Sequence, residues 1–171
     1  MNIPKTLRYT KDHEWISIDG EIATVGITDF AQRELGDIVY IEVESIGESL
    51  NADDVFGTVE AVKTVSDLFL PIDGEIKEFN ENLEDSPEDV NQDPYNKGWI
   101  IKVKVANPND FNNLLNSFFV QEILLYSIIP LILSSVSISA ENLFIFLTIA
   151  NFQLIEFSNL YFSKSFFHSE L

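Results

Sequence analysis

From Trp15 to Val105 the apolar runs are only a few residues long, and Gly, Pro, Asp and Asn recur between them. A chain punctuated in this way does not build long helices; it builds short strands joined by tight turns. Trp15–Ile18 and Ile22–Val25 flank Asp19–Gly20, a pair that supplies the φ > 0 turn of a hairpin. Thr28 followed by Asp29 opens a short helix, and Gly36 closes it. Ile38–Val43 and Val55–Val59 lie on either side of a polar stretch, Gly47–Asp54. Val65–Leu70 then runs into a Pro71–Gly74 turn, from which Glu75–Phe79 departs. Glu81–Asn96 is acidic, holds two Pro and has no apolar period, so an ordered loop is expected there. Trp99–Val105 is a further strand, with Lys102 and Lys104 on the wet face. Asn107 caps a last helix with Pro108 at its first position and Asp110 in its first turn. Phe111, Leu114 and Leu115 of that helix would dock it on the sheets. The expected fold class is mainly β: two antiparallel sheets in a sandwich or flattened barrel, with short helices.

Composition then divides the 171 residues. Residues 1–117 hold all seven Gly, 9 basic and 24 acidic residues; residues 118–171 hold no Gly, one base, four acids and 32 apolar residues. A boundary near Ser117 is therefore expected, with one domain over 1–117 and an atypical hydrophobic tail over 118–171. The net charge of −18 argues against a nucleic-acid partner, because a phosphate backbone needs Lys and Arg to neutralise it. It suits a protein that meets basic patches on other proteins. Zero Cys excludes disulfides, iron–sulfur clusters and a thiol nucleophile, so any sulfur chemistry would ride on an attached group.

Catalytic constellations are missing. His13 and His168 are far apart in sequence, and no phosphate loop, nucleophile elbow or zinc spacing occurs. Glu42 and Glu44 read as one wet face of a strand, and no metal site is expected. One lysine stands apart by its setting: Ala61–Val62–Lys63–Thr64 is a tight turn between two β runs, with the ammonium at its tip.

The blocks around that lysine carry a resemblance. Tyr9–Thr10–Lys11–Asp12–His13–Glu14–Trp15, Val25–Gly26–Ile27–Thr28–Asp29–Phe30–Ala31 and Leu35–Gly36–Asp37–Ile38–Val39 occur in order. So do Glu60–Ala61–Val62–Lys63 with Ser66–Asp67, Pro71–Ile72–Asp73–Gly74 and Asn91–Gln92–Asp93–Pro94–Tyr95–Asn96–Lys97–Gly98–Trp99. Together, from about Leu7 to Leu115, they resemble the glycine cleavage system H protein family. The resemblance implies a non-catalytic carrier of the lipoyl/biotinyl-carrier fold, with lipoate in amide linkage on Lys63. Acylation removes the ammonium charge. The implied partners are a glycine decarboxylase that loads the arm with an aminomethyl group and an aminomethyltransferase that passes that carbon on. A dihydrolipoamide dehydrogenase would reoxidise the dithiol, and a lipoate-attaching enzyme would modify the lysine. Glu14 and Asp67 match positions that shelter the loaded arm, Asp12 adds a nearby negative charge, and Glu60 helps the lipoylating enzyme and the partners recognise the turn. Ala61 stands where Ser is more usual in the family; both are small. The alternative role is a relay that donates lipoyl groups to 2-oxoacid dehydrogenase carriers.

The tail departs from the family, whose members end in a short polar helical segment. Ile123–Ala140 is an uncharged run of 18 residues, near the lower limit for a membrane span, and Lys164 is the one base of the tail. Three readings stay open: an altered coding frame, which suits the Phe-rich, Gly-free composition; an extra packed or partner-binding segment; and membrane attachment. No Arg/Ser-rich presequence or secretory signal precedes the first block, so a bacterial-type cytoplasmic protein is expected, with a mature organellar form that has lost its presequence as the other reading; membrane attachment is the least favoured of the three readings of the tail.

Overall fold

The computed structural model describes residues 1–121. The expectations for the tail beyond that point lie outside the described residues. In chain order the elements are β1 (Arg8–Tyr9), β2 (Glu14–Asp19), β3 (Ile22–Ile27), α1 (Asp29–Leu35), β4 (Ile38–Glu42) and β5 (Ser49–Leu50). There follow β6 (Val55–Ala61), β7 (Thr64–Phe69), β8 (Gly74–Phe79), α2 (Asn82–Asp85), α3 (Asp89–Gln92) and β9 (Ile101–Val105). One antiparallel sheet has six strands in the order β1-β2-β3-β9-β8-β5; the other has three, β4-β6-β7. The mainly β, two-sheet expectation therefore holds.

Alternation decides what each strand buries. Ala23 and Val25 of β3, Ile76 of β8 and Ile101 and Val103 of β9 are fully buried, while Lys104 between Val103 and Val105 is exposed. From the smaller sheet Ile38, Ile41, Phe56, Val59 and Leu68 enter the same core. Each such side chain contributes roughly 1.5–3 kcal/mol on removal from water. A second cluster gathers Ile3, Leu7, Tyr9, Trp15 and Val120. There the Trp15 indole N–H donates to the Pro94 carbonyl at 3.0 Å, and the Tyr9 hydroxyl donates to the Pro4 carbonyl at 2.7 Å. Gly26 is required beneath Trp15, since a Cβ there would stand 2.8 Å from the indole nitrogen.

The short helix forms as read: Thr28 Oγ1 accepts from the Ala31 N–H, and Gly36 closes the last turn at φ 86°. Other expectations shift. Asp19 pairs with Ile22, so the turn residues of the first hairpin are Gly20 and Glu21, and Gly20 alone supplies the positive φ. Glu81–Asn96 is not all loop, because it contains α2 and α3, single helical turns each pinned by one buried residue, Leu83 or Val90. One anchor per turn leaves no period to read. The last helix is a 3-10 segment, Pro108–Asn113, capped by Asn107. Leu114 is already extended, and Leu115 instead bridges Tyr9 through two backbone bonds of 2.8 and 2.9 Å. The two-residue strands β1 and β5 are too short to show a period.

Candidate functional site

Ala61 pairs with Thr64, so Val62 and Lys63 alone make the turn between β6 and β7. Two-residue hairpins favour turns with positive φ, and neither residue has one. Tertiary contacts supply the support instead. The Val62 N–H donates to the Asp37 carbonyl at 3.1 Å, and Ile38 pairs with Ala61. Asn91 of α3 fixes that segment in turn. Its Oδ1 accepts from the Ile38 N–H at 3.0 Å, and its Nδ2 donates to Gln32 Oε1 and to the Gly36 carbonyl at 2.8 and 2.9 Å. The tip thus stands on a bracket from another part of the chain. Lys63 is exposed, and among the described residues its Nζ enters no hydrogen bond or ion pair. An exposed primary amine on a braced turn is open to acylation.

Register places the remaining acids. Tyr40, Glu60 and Val65 stand in one row across the three strands, and Glu42, Thr58 and Asp67 stand in a second row on the same face. Glu60 and Asp67 are exposed. Strand rise puts the Asp67 Cα roughly 13 Å from that of Lys63, and the Phe69 Cα roughly 20 Å away.

Glu14 is different. It is 2 % exposed, and its carboxylate accepts from the Thr10 hydroxyl and, at 3.2 Å, from the Phe69 N–H. Burial raises its pKa, opposed by those hydrogen bonds and aided by the Asp12 charge. Glu14 belongs to the larger sheet and Phe69 to the smaller, so this carboxyl ties the two sheets. Asp12 is paired with Lys11 at 2.8 Å, and Lys11 also reaches Asp53 at 3.3 Å.

The structure therefore sets Lys63 and Glu60 at one end of the β6–β7 hairpin and Glu14 towards the other, with Asp67 between. It does not bring them into one contacting cluster. A groove of about 360 Å³ beside Glu42, Glu44, Glu48 and Thr58 contains none of Lys63, Glu14 and Asp67. Among the described residues no group of His, Cys, Asp or Glu is placed to hold a metal ion. No described helix is long and apolar enough to cross a membrane.

Sequence reading missed Thr10, Asp37 and Asn91 as supports. Thr10 had a signal in its spacing of four from Glu14; Asn91, 28 residues beyond Lys63, had none. His13 is half-buried at φ 71°, with its ring 4.5 Å from that of Phe30. It is a packing residue of the turn before Glu14.

The sequence pattern of the family described as "Glycine cleavage H-protein" matches residues 7–124. The glycine cleavage system H protein of Pelodictyon phaeoclathratiforme is 61% identical over 119 residues, which cover 68% of this chain and 93% of that protein. The protein of the same name from Bacteroides fragilis is 56% identical over 117 residues, with the same coverage of each chain. The crystal structure of a glycine cleavage system H protein from Mycobacterium marinum superposes with a TM-score of 0.58 at 41% identity. It covers 61% of this chain and 87% of that one.

Proposed function

The chain belongs to the glycine cleavage H-protein family, and on that premise we propose that it is a non-catalytic lipoyl carrier with Lys63 as the attachment point. It would serve a glycine decarboxylase, an aminomethyltransferase and a dihydrolipoamide dehydrogenase in turn. The observation that supports this reading most is the placement of Lys63: exposed, without a partner among the described residues, and at the tip of a two-residue turn braced from Asp37 and Asn91. Those residues suit the group, since an amide on that nitrogen displaces no existing contact.

Attachment needs the neutral amine. Nζ attacks the carbonyl carbon of an activated lipoyl donor and forms the N–C bond. The bond from that carbon to the leaving group breaks with its electron pair, and the surplus proton passes to a base of the attaching enzyme. Once attached, the group supplies a redox-active disulfide on a flexible arm, which this Cys-free chain otherwise lacks. The chain's own acids then act along β7. Asp67 offers a solvated carboxylate on the outer face, and Glu14 a carboxyl out of water at Phe69. A charge held in a dry setting attracts a cation more strongly than one in water, and an approaching cation favours the ionised form of Glu14. The Thr10 hydroxyl and the Phe69 amide hold that carboxyl in place. Glu60, three residues before Lys63, faces outward where an attaching enzyme would read it.

The test is intact mass and peptide mapping after incubation with a lipoate-attaching enzyme, its activating nucleotide and lipoate. One lipoyl increment is expected on the Lys63 peptide, and none on Lys63→Arg with an unchanged circular dichroism spectrum. A lipoylated Lys63→Arg chain would refute the assignment.

A further inference from the structure

Thr10 meets Glu14 three times. Its N–H donates to the Glu14 carbonyl at 3.0 Å, its Oγ1 accepts from the Glu14 N–H at 3.1 Å, and its hydroxyl donates to Glu14 Oε2. An ionised carboxylate only accepts, so the proton between Oγ1 and Oε2 is the one the hydroxyl carries. The other carboxylate oxygen, Oε1, accepts from the Phe69 N–H at 3.2 Å. Both neighbours of this carboxyl are therefore donors, a setting made for the anion. A proton added to it would face the Phe69 N–H or displace the proton of Thr10.

The site is otherwise a poor one for a charge. Glu14 is 2% exposed, and among the described residues no base forms an ion pair with it. Lys11, in the turn before it, is held by Asp12 and Asp53. Of the other charged or titratable groups around that turn, Asp12 bears on Glu14 as a like charge. His13 packs its ring on Phe30, and Asp67, two residues before Phe69, is exposed. Burial presses Glu14 towards its neutral form, and Asp12 adds to the pressure. The Thr10 hydroxyl is the foremost contact that opposes them, ahead of the Glu14 and Phe69 amides. A buried carboxylate kept charged by neutral donors, with no cation of its own chain against it, is a seat for a cation brought from elsewhere. We propose that Thr10 is the positioning residue of this seat: its hydroxyl keeps Glu14 ionised and oriented for the cationic end of the loaded arm. Thr10 acts through Glu14 and touches no reacting atom. The inference rests on the reading of Glu14 as a shelter of that arm.

The test has two readouts on wild type, Thr10→Val, Thr10→Ala, Thr10→Ser and Glu14→Gln. In the full, unmodified chain with glutamate carboxyl carbons labelled, carbon NMR follows the Glu14 titration, its signal assigned by its loss in Glu14→Gln. In the lipoylated chain, reduced with borohydride, desalted and loaded with formaldehyde and ammonia, release of amine is followed against pH. Release is a hydrolysis: water supplies the oxygen to the carbon, the C–N and C–S bonds break with their electron pairs on nitrogen and sulfur, and ammonia, formaldehyde and the thiol result. Below the Glu14 midpoint the carboxyl is neutral and does not hold the cation, so release is fast there and slows as pH rises through it. Removal of the hydroxyl should raise the Glu14 midpoint by about one pH unit, a ten-fold change in proton affinity, in Thr10→Val and Thr10→Ala alike. The release profile should move up by the same interval, and Thr10→Ser should match wild type in both readouts. A wild-type Glu14 titration in Thr10→Val and Thr10→Ala overturns the proposal. So does a moved titration with an unmoved release profile while Glu14→Gln speeds release. If Glu14→Gln releases amine no faster than wild type, the reading of Glu14 fails and the role of Thr10 towards the arm falls with it, whatever the titration shows.

Discussion

The Glu14 carboxylate accepts a hydrogen bond from the Phe69 backbone N–H at 3.2 Å, and so fastens the larger sheet to the strand that leads away from Lys63. Glu14→Ala should leave that N–H without a partner and cost about 1–3 kcal/mol, read by urea unfolding. Glu14→Gln keeps an acceptor and should lose less. With the carrier loaded, Glu14→Ala should also release its amine faster than wild type, followed by free-amine assay.

Asn91 holds the start of β4, and through it the Asp37 carbonyl that the Val62 amide uses. Asn91→Ala should cost about 1–3 kcal/mol, because the Ile38 N–H and the Gly36 carbonyl lose their partner. The local effect is a faster amide hydrogen exchange at Val62 than global unfolding accounts for. Equal protection of Val62 in both chains would show that the tip does not depend on this bracket.

Gly57 lies where a register shift interrupts the β6–β7 ladder, and a Cβ there would run into the Glu42 carbonyl oxygen. Gly57→Ala should push β4 from β6 and destabilise the fold by about 1–3 kcal/mol. Gly47→Ala also carries strain from its φ of 85° but meets nothing within 4 Å, so its loss should be smaller.

Burial lowers the pKa of His13, against the pull of Asp12 and Glu34, and its Nδ1 is buried without a hydrogen bond. The unfolded chain binds a proton near pH ~6.5 and the folded chain resists it. Stability should therefore fall as pH drops from ~6.5 towards the lowered folded value, and be indifferent to His13 above ~6.5. His13→Asn, which tolerates the positive φ, should flatten that slope in urea titrations across the window. Glu14 acts with the opposite sign: its raised folded pKa makes its ionisation cost stability as pH rises above ~4.3 through the folded value.

Local rules were legible wherever one residue type decides a local geometry. Thr28 and Gly36 bound α1 as read, because a hydroxyl cap and a φ of 86° are properties of those residues alone. Lys102 and Lys104 alternate with Val103 and Val105 as strand pleat requires. The tight turn at Lys63 was visible from its flanking runs. The helical turns at Leu83 and Val90 were not, nor was the bridge between Leu115 and Tyr9, because each depends on a partner distant in the chain.

The order of residues by itself determined the longer strands, the family and the lysine at the turn, since periodicity, turn chemistry and motif spacing are written over a few neighbouring positions. Only the tertiary structure decided that Glu14 is buried against Phe69, that Asn91 braces the tip and that Tyr40 and Val65 frame Glu60. Those relations come from strand register and sheet closure, which bring together residues five positions apart across the hairpin at Glu60 and Val65 and 20 to 55 apart in the others.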